Sequence, residues 1–145
     1  MSFKITKPVR LIETFSGLGS FSMALRDLGV DFQTWRTSDW DVNSVKSFKA
    51  IHHPDDKTDY SSGFSREEIV NLLDKMQVSL DGKEPLPIEK IRKKNESWLR
   101  EVYNAFKASN NMGSITHVHA EDLGIERGGD ANENEYTYIL SYSFP

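Results

Sequence analysis

Three short segments of this chain combine residue types that could hold a small polar ligand. Phe15-Ser16-Gly17-Leu18-Gly19-Ser20 follows an apolar run, Val9 to Phe15, and precedes an amphipathic one. A glycine turn between a strand and a helix lets the backbone approach a ligand without side-chain obstruction. It also presents the helix N-terminus, with its unpaired amides and positive dipole end, to a polar or anionic group. Asp39-Trp40 lies about 20 residues farther on, the separation at which nucleotide-binding α/β folds place the acidic residue that takes both ribose hydroxyls. Asp39 is equally suited to cap a helix, and Trp40 either to stack on an adenine ring or to fill the core. Asp122, followed by Leu123, is a third acidic position, read either as acceptor for the exocyclic amine of an adenine or as a solvated loop carboxylate. Together the three describe a pocket for an adenosine-containing cofactor that needs no phosphate.

Two other chemistries fit less well. A nicotinamide dinucleotide site asks for Gly-Xaa-Gly-Xaa-Xaa-Gly, and here Gly17 and Gly19 are followed by Ser22, so a pyrophosphate is poorly accommodated. His52, His53, His117 and His119 could be metal ligands, with His117 and His119 alternating on one face of an expected strand. With no cysteine and no third ligand in the pattern, they read as surface or core histidines.

These segments need elements to position them. Val9 to Phe15 is apolar and β-branched, as a buried strand is. Phe21, Ala24, Leu25 and Leu28 share one helical face, and Gly29 follows as a C-terminal cap. Phe32 to Ser38 alternates around Phe32, Thr34 and Arg36 as a second strand. Asp41 then caps a helix carrying Val42, Val45, Phe48 and Ile51 inward. After a polar loop, His52 to Gly63, Ser65 and Glu68 form a capping box ahead of Ile69, Leu72, Leu73 and Met76. The Pro85-Leu86-Pro87 break precedes one longer helix with Ile88, Ile91, Trp98, Leu99, Val102 and Phe106, ending near Asn110. Two strands are expected last, Ile115 to Ala120 and Tyr136 to Phe144. The order is that of a mostly parallel α/β sheet, in which ligands sit at the carboxyl ends of the strands.

Composition bounds the rest. The 145 residues suffice for one domain, and 37% hydrophobic with 28% charged residues is the balance of a soluble globular chain. No stretch approaches the roughly 20 apolar residues that cross a bilayer. The N-terminus has no apolar signal-peptide core, which points to a cytoplasmic location. The absence of cysteine removes disulfides, thiolate zinc sites and a cysteine nucleophile from this chain. The formal net charge of −4 does not suit a stand-alone duplex-binding module. The one local basic run, Lys90 to Lys94, reads as a solvated helix face.

VRLIETFSGLGSFSMAL resembles the opening motif of DNA cytosine-5 methyltransferases, approximately Asp-Leu-Phe-Ala-Gly-Xaa-Gly-Gly-Phe. Phe15 through Ser20 match it in register, with Glu13 for the usual Asp and Ser20 for the second glycine. SDWDVNSVKSF is similar to the second motif, and AEDL to the third, Gly-Asp-Ile. The chain ends Ser143-Phe144-Pro145, similar to the family's Gly-Phe-Pro-Cys-Gln up to its catalytic cysteine. The resemblance implies a partial Rossmann-like S-adenosylmethionine-dependent methyltransferase fold of about four mostly parallel strands, with a helical insertion over about 61–114. It implies a cofactor site for S-adenosylmethionine, or its product S-adenosylhomocysteine, formed by Phe15, Ser16, Gly17, Leu18, Gly19, Ser20, Asp39, Trp40, Asp122, Leu123 and Pro145.

In that family a cysteine thiolate adds to carbon 6 of a flipped-out cytosine so that carbon 5 takes the methyl group. The nucleophile, expected immediately after Pro145, and the target-recognition domain lie outside this chain. The resemblance thus implies a DNA-modifying enzyme, as in restriction-modification, that meets DNA only through its missing part, and a chain that is inactive alone. An exposed strand over 136–144 invites pairing, as a homodimer or with a complementary C-terminal polypeptide. The alternative is a non-catalytic adenosine-cofactor-binding or interaction module, a relic or a split subunit.

Overall fold

The computed structural model describes residues 4–125 and 135–142. Its centre is a parallel sheet of three strands, in the order β2-β1-β3: β1 (Val9–Thr14), β2 (Phe32–Ser38) and β3 (Thr137–Ser141). All of β1 is buried, which is why this strand reads as continuous rather than alternating. β1 pairs with β2 from Val9–Phe32 to Thr14–Ser38 and with β3 from Val9–Thr137 to Glu13–Ser141. The register with β2 shifts between Leu11 and Ile12, so that Leu11 faces Thr34 and Ile12 faces Arg36. Trp35 is the extra residue of this bulge, and it breaks the simple alternation expected around Phe32, Thr34 and Arg36. The result is an α/β architecture with the element order of a Rossmann-like fold.

Helix α1 (Ser20–Asp27) returns the chain from β1 to β2. It ends as the sequence suggests: the Gly29 amide donates to the Arg26 carbonyl (2.9 Å) and Val30 to that of Leu25 (3.0 Å), the two bonds of a Schellman cap. Leu25 is buried, whereas Phe21 and Leu28 are exposed; the helix is only eight residues long and Leu28 lies at its cap. Helix α2 (Val42–His52) is capped by Asp41, whose Oδ2 accepts from the Ser44 amide (3.1 Å) and hydroxyl (2.9 Å). Val42, Val45 and Phe48 point inward, and Ile51, expected to join them, is exposed.

Residues 61–114 build a helical layer whose core is shared with α2. Helix α3 (Arg66–Lys75) carries the capping box in full: Glu68 N–H donates to Ser65 Oγ (3.2 Å) and Ser65 N–H to Glu68 Oε2 (2.6 Å). The single long helix expected after the proline break divides into α4 (Ile88–Arg92) and α5 (Glu96–Ala108). Asn95 divides them, because its Oδ1 accepts from the Trp98 amide (2.8 Å) and starts a new helix there. Ile69, Val70, Leu73, Ile91, Leu99, Val102 and Phe106 pack with Val42 and Val45 of α2 into one cluster, each at 2% exposure or less. In the basic run, Arg92 pairs with Glu67 (2.7 Å) and Lys94 lies over the Trp98 ring.

Ile115 to Ala120 is not a strand. It forms short 3-10 turns, Ile115–His117 and Ala120–Leu123, and His117 and His119 therefore share no strand face. Local bonds win over a ladder here: Ser114 Oγ and Thr116 Oγ1 pair at 2.9 Å, and Asp122 Oδ2 accepts from the His119 amide at 2.8 Å. The place beside β2 is taken by Asn110–Met112, where the Thr37 amide donates to the Asn110 carbonyl (3.0 Å) and the Met112 amide to that of Thr37 (2.9 Å). The fourth strand is thus a single bridge, and three strands remain among the described residues. No helix among them is long and apolar enough to cross a membrane.

Candidate functional site

At the carboxyl end of β1 the chain turns sharply. Phe15 adopts a left-handed conformation (φ 53°), uncommon for a bulky non-glycine residue and costing on the order of 1–3 kcal/mol. It is nonetheless 43% exposed, so core packing is not what holds it there. The turn is tied by the Gly19 amide donating to the Ser16 carbonyl (2.6 Å) and by Ser16 N–H donating to the Ser38 carbonyl (3.3 Å). Gly19 begins α1 at φ 77°, and a Cβ there would overlap the rings of Phe48 and His52. His52 Nε2 donates to the Leu18 carbonyl (2.9 Å) from α2, which closes the underside of the turn.

Two carboxylates organise the same end. Asp39 Oδ2 accepts from the Gly17 amide (2.8 Å) and Oδ1 from the Asp41 amide (3.0 Å), so this side chain joins the β1 turn to the end of β2. Glu13, buried in β1, accepts from Phe21 N–H (3.1 Å) and Ser22 Oγ (2.7 Å) and thereby occupies part of the α1 N-terminus. That end of the helix, expected to face an anionic group, already holds a carboxylate of the chain.

Two adjoining cavities share Phe15. One, of about 420 Å³, is lined by Phe15, Ser38, Asp39 and Trp40, by Gln77 and Gly82 of the helical layer, and by residues 114–116. The other, of about 340 Å³, lies between β1 and α1, against Glu13, Thr14, Phe15, Ser16, Ser20 and Phe21. Their size suits a small-molecule site. Among the described residues neither is lined by a lysine or arginine. Aromatic walls with two carboxylates and no cation suit a ligand that carries positive charge and disfavour a phosphate.

Of the expected site residues, the structure brings Phe15, Ser16, Ser20, Asp39 and Trp40 to these cavities. Gly17 and Gly19 shape the turn beneath them, and Leu18 points outward at 52% exposure. Asp122 and Leu123 lie elsewhere: the Leu123 carbonyl accepts from Trp35 Nε1 (2.8 Å) and the Asp122 carbonyl from Arg36 Nε (3.0 Å), while the Asp122 carboxylate closes its own turn. Pro145 is outside the described residues.

A further wall of the larger cavity is formed by Ser114, Ile115 and Thr116, directly after Gly113. Gly113 is required here, since a Cβ would overlap the backbone of Met76. Asn111 Oδ1 accepts from the Gly113 amide (2.7 Å) and Ser38 Oγ donates to the Gly113 carbonyl (2.8 Å), which fixes this wall to the end of β2. Among the described residues no cluster of three or more histidine, aspartate or glutamate side chains could hold a metal ion.

Sequence comparison adds a second line of observation. Over 142 residues, 97% of the chain, it is 31% identical to the orphan methyltransferase M.SssI of Spiroplasma monobiae. The chain is similar to one third of a methyltransferase. It spans 34% of the length of that relative. Shorter matches are to the orphan methyltransferases M.SPRI of Bacillus phage SPR and M.SPBetaI of Bacillus phage SPbeta. These are 40% identical over 52 residues and 42% over 45, covering 12% and 10% of those proteins. No protein-family model matches the chain. Because the similarity to M.SssI runs over 97% of the chain, it extends across the helical layer and is not confined to the glycine turn.

Proposed function

We propose that this chain is the cofactor-binding portion of a DNA cytosine-5 methyltransferase, and that its two cavities hold S-adenosylmethionine. The observation that carries this is the Gly17–Asp39 hydrogen bond, which brings a glycine turn and an acidic strand end together at cavities sharing Phe15. The 420 Å³ cavity takes the adenosine, with Asp39 accepting from the ribose hydroxyls and Phe15, Trp40 and Ile115 against the base. The 340 Å³ cavity takes the methionine part, where the Glu13 carboxylate complements a sulfonium and an ammonium. The absence of lysine and arginine from both walls, among the described residues, favours this cation over a dinucleotide. The bound cofactor supplies an activated methyl group; the residues of this chain orient it and screen it from water.

The 145 residues contain no cysteine, so the thiolate for cytosine chemistry comes from outside them. The same holds for contact with DNA. We therefore expect a cytoplasmic enzyme completed by further polypeptide beside β3, and no methylation by this chain alone. The absence of cysteine is also what a non-catalytic adenosine-cofactor-binding module would show, and activity restored by added C-terminal polypeptide separates the two.

The site itself is tested by calorimetric titration of S-adenosylhomocysteine into the chain and into Asp39→Ala. Binding should weaken at least tenfold in the variant, since a charged acceptor to two hydroxyls is worth about 1.5–3 kcal/mol. Equal heats from both proteins would overturn the assignment.

A further inference from the structure

We infer that Gln77, contributed by the helical layer, reads the base edge of the bound adenosine and so sets the site's preference for adenine. The inference rests on the adenosine reading of the 420 Å³ cavity and adds to it a residue that belongs to none of the three strand ends.

Gln77 lines that cavity just beyond α3, in the left-handed conformation (φ 55°) that a non-glycine residue rarely adopts. Its neighbours hold it there from both sides. Met76 accepts from the Ser114 amide through its carbonyl (3.0 Å), which ties it to one wall of the cavity. Ser79 donates its amide to the Trp40 carbonyl (2.8 Å) and accepts from the Val42 amide (2.9 Å), which ties it to another. Val78 between them is fully buried. Gln77 is thus suspended between the two walls that flank the base. Its left-handed backbone is that of a Schellman cap on α3, in which the Gln77 amide donates to the Asp74 carbonyl (2.9 Å) and the Val78 amide to that of Leu73 (3.4 Å).

The hydroxyl and carboxylate side chains of this cavity are engaged within the fold. Ser38 Oγ donates to Gly113, Asp39 accepts from two amides, and Ser114 pairs with Thr116. The Gln77 carboxamide makes no hydrogen bond among the described residues. A carboxamide offers one acceptor and one donor side by side, and an adenine edge offers an amine beside a ring nitrogen, so the two are complementary. The amide oxygen accepts from the exocyclic amine and the amide nitrogen donates to the ring.

The test compares S-adenosylhomocysteine with its 6-deamino purine analogue, titrated into the chain, into Gln77→Gly and into Asp39→Ala. Glycine suits the left-handed backbone at 77, so that variant removes the carboxamide while relaxing the fold. The parent chain should bind the adenine compound about three- to tenfold more tightly than the analogue, the range of one neutral hydrogen bond. Gln77→Gly should bring that ratio to one, whereas Asp39→Ala should weaken both compounds and leave the ratio unchanged. A ratio of one in the parent, or a ratio that survives in Gln77→Gly, overturns the role of Gln77 and leaves the cofactor site standing. No binding of S-adenosylhomocysteine by the parent overturns both.

Discussion

The helical layer and the third strand of the sheet lie in one short chain and are built to opposite standards. In the layer, Ile69, Val70, Leu73, Ile91, Leu99, Val102 and Phe106 are fully buried, and α3 and α5, which carry six of them, begin at Ser65 and Asn95 with side-chain caps. In β3 no residue is buried; Leu140 stands at 57% exposure and Tyr142, just after the strand, at 62%. β3 also forms one edge of the sheet, while β1 beside it is buried throughout. The segment with no counterpart in the motif pattern is therefore the best-packed part of the molecule, and the strand nearest the expected catalytic residue is among the least covered. The cavities lie where the two meet. The helical layer acts as a scaffold for the Trp40 side of the site, and β3 is an exposed sheet edge among the described residues.

That contrast is most easily broken at Phe106. Its ring is fully buried in the helical cluster, so Phe106→Ala removes apolar contacts and leaves a cavity that its neighbours can only partly close. The expected loss is about 3–5 kcal/mol, read from urea denaturation followed by far-ultraviolet circular dichroism. A loss under about 1 kcal/mol, the ordinary cost of a point substitution, would mean that the layer is not the stable half.

The seam between turn and layer responds to pH through His53, at the end of α2. Its pKa is lowered from the usual histidine value, chiefly by burial, then by His52; Lys49 adds to the lowering and Asp56 opposes it. Its Nε2 is buried without a partner. A histidine whose folded pKa lies below its unfolded one binds protons more readily unfolded, so stability rises with pH across the interval between the two. The contribution is complete above about pH 6.5, and it is lost as pH falls toward the folded pKa. Thermal melts should fall as the pH is lowered from 7.5 to 5, and His53→Gln should lessen that fall. Identical pH dependence in the two proteins would show that other groups govern acid sensitivity.

What could be read from the sequence is what depends on near neighbours. Ser65 and Glu68, Asp41 and Ser44, and Gly29 after α1 each make bonds within a few residues, and all stand where the pattern put them. The glycine turn and Asp39 were legible for the same reason: a strand, a turn and a helix in series carry their own geometry. Asn95 was missed because a helical stripe continues past it, and only its side chain reveals the break. Ile115 to Ala120 misled because it alternates like a strand, yet Asn110–Met112 already occupies the edge of β2, a fact of tertiary structure. Gln77 was invisible for the strongest form of that reason. It reaches the site through Met76–Ser114 and Ser79–Trp40 pairings that link residues 38 or 39 positions apart.

The smallest effect expected is also the sharpest test of the contrast. Leu140 is more than half exposed on an edge strand, so Leu140→Ser removes little from this chain's own packing. Its unfolding free energy should shift by less than about 0.5 kcal/mol in the same urea titration that reports on Phe106. A shift above about 1 kcal/mol would place Leu140 in a core formed by this chain itself and would count against an interface at this edge. If the shift is small while the substitution weakens association with added C-terminal polypeptide, then Leu140 lies in an interface. An exposed apolar edge is unfavourable in water alone and becomes useful only when another strand or helix covers it.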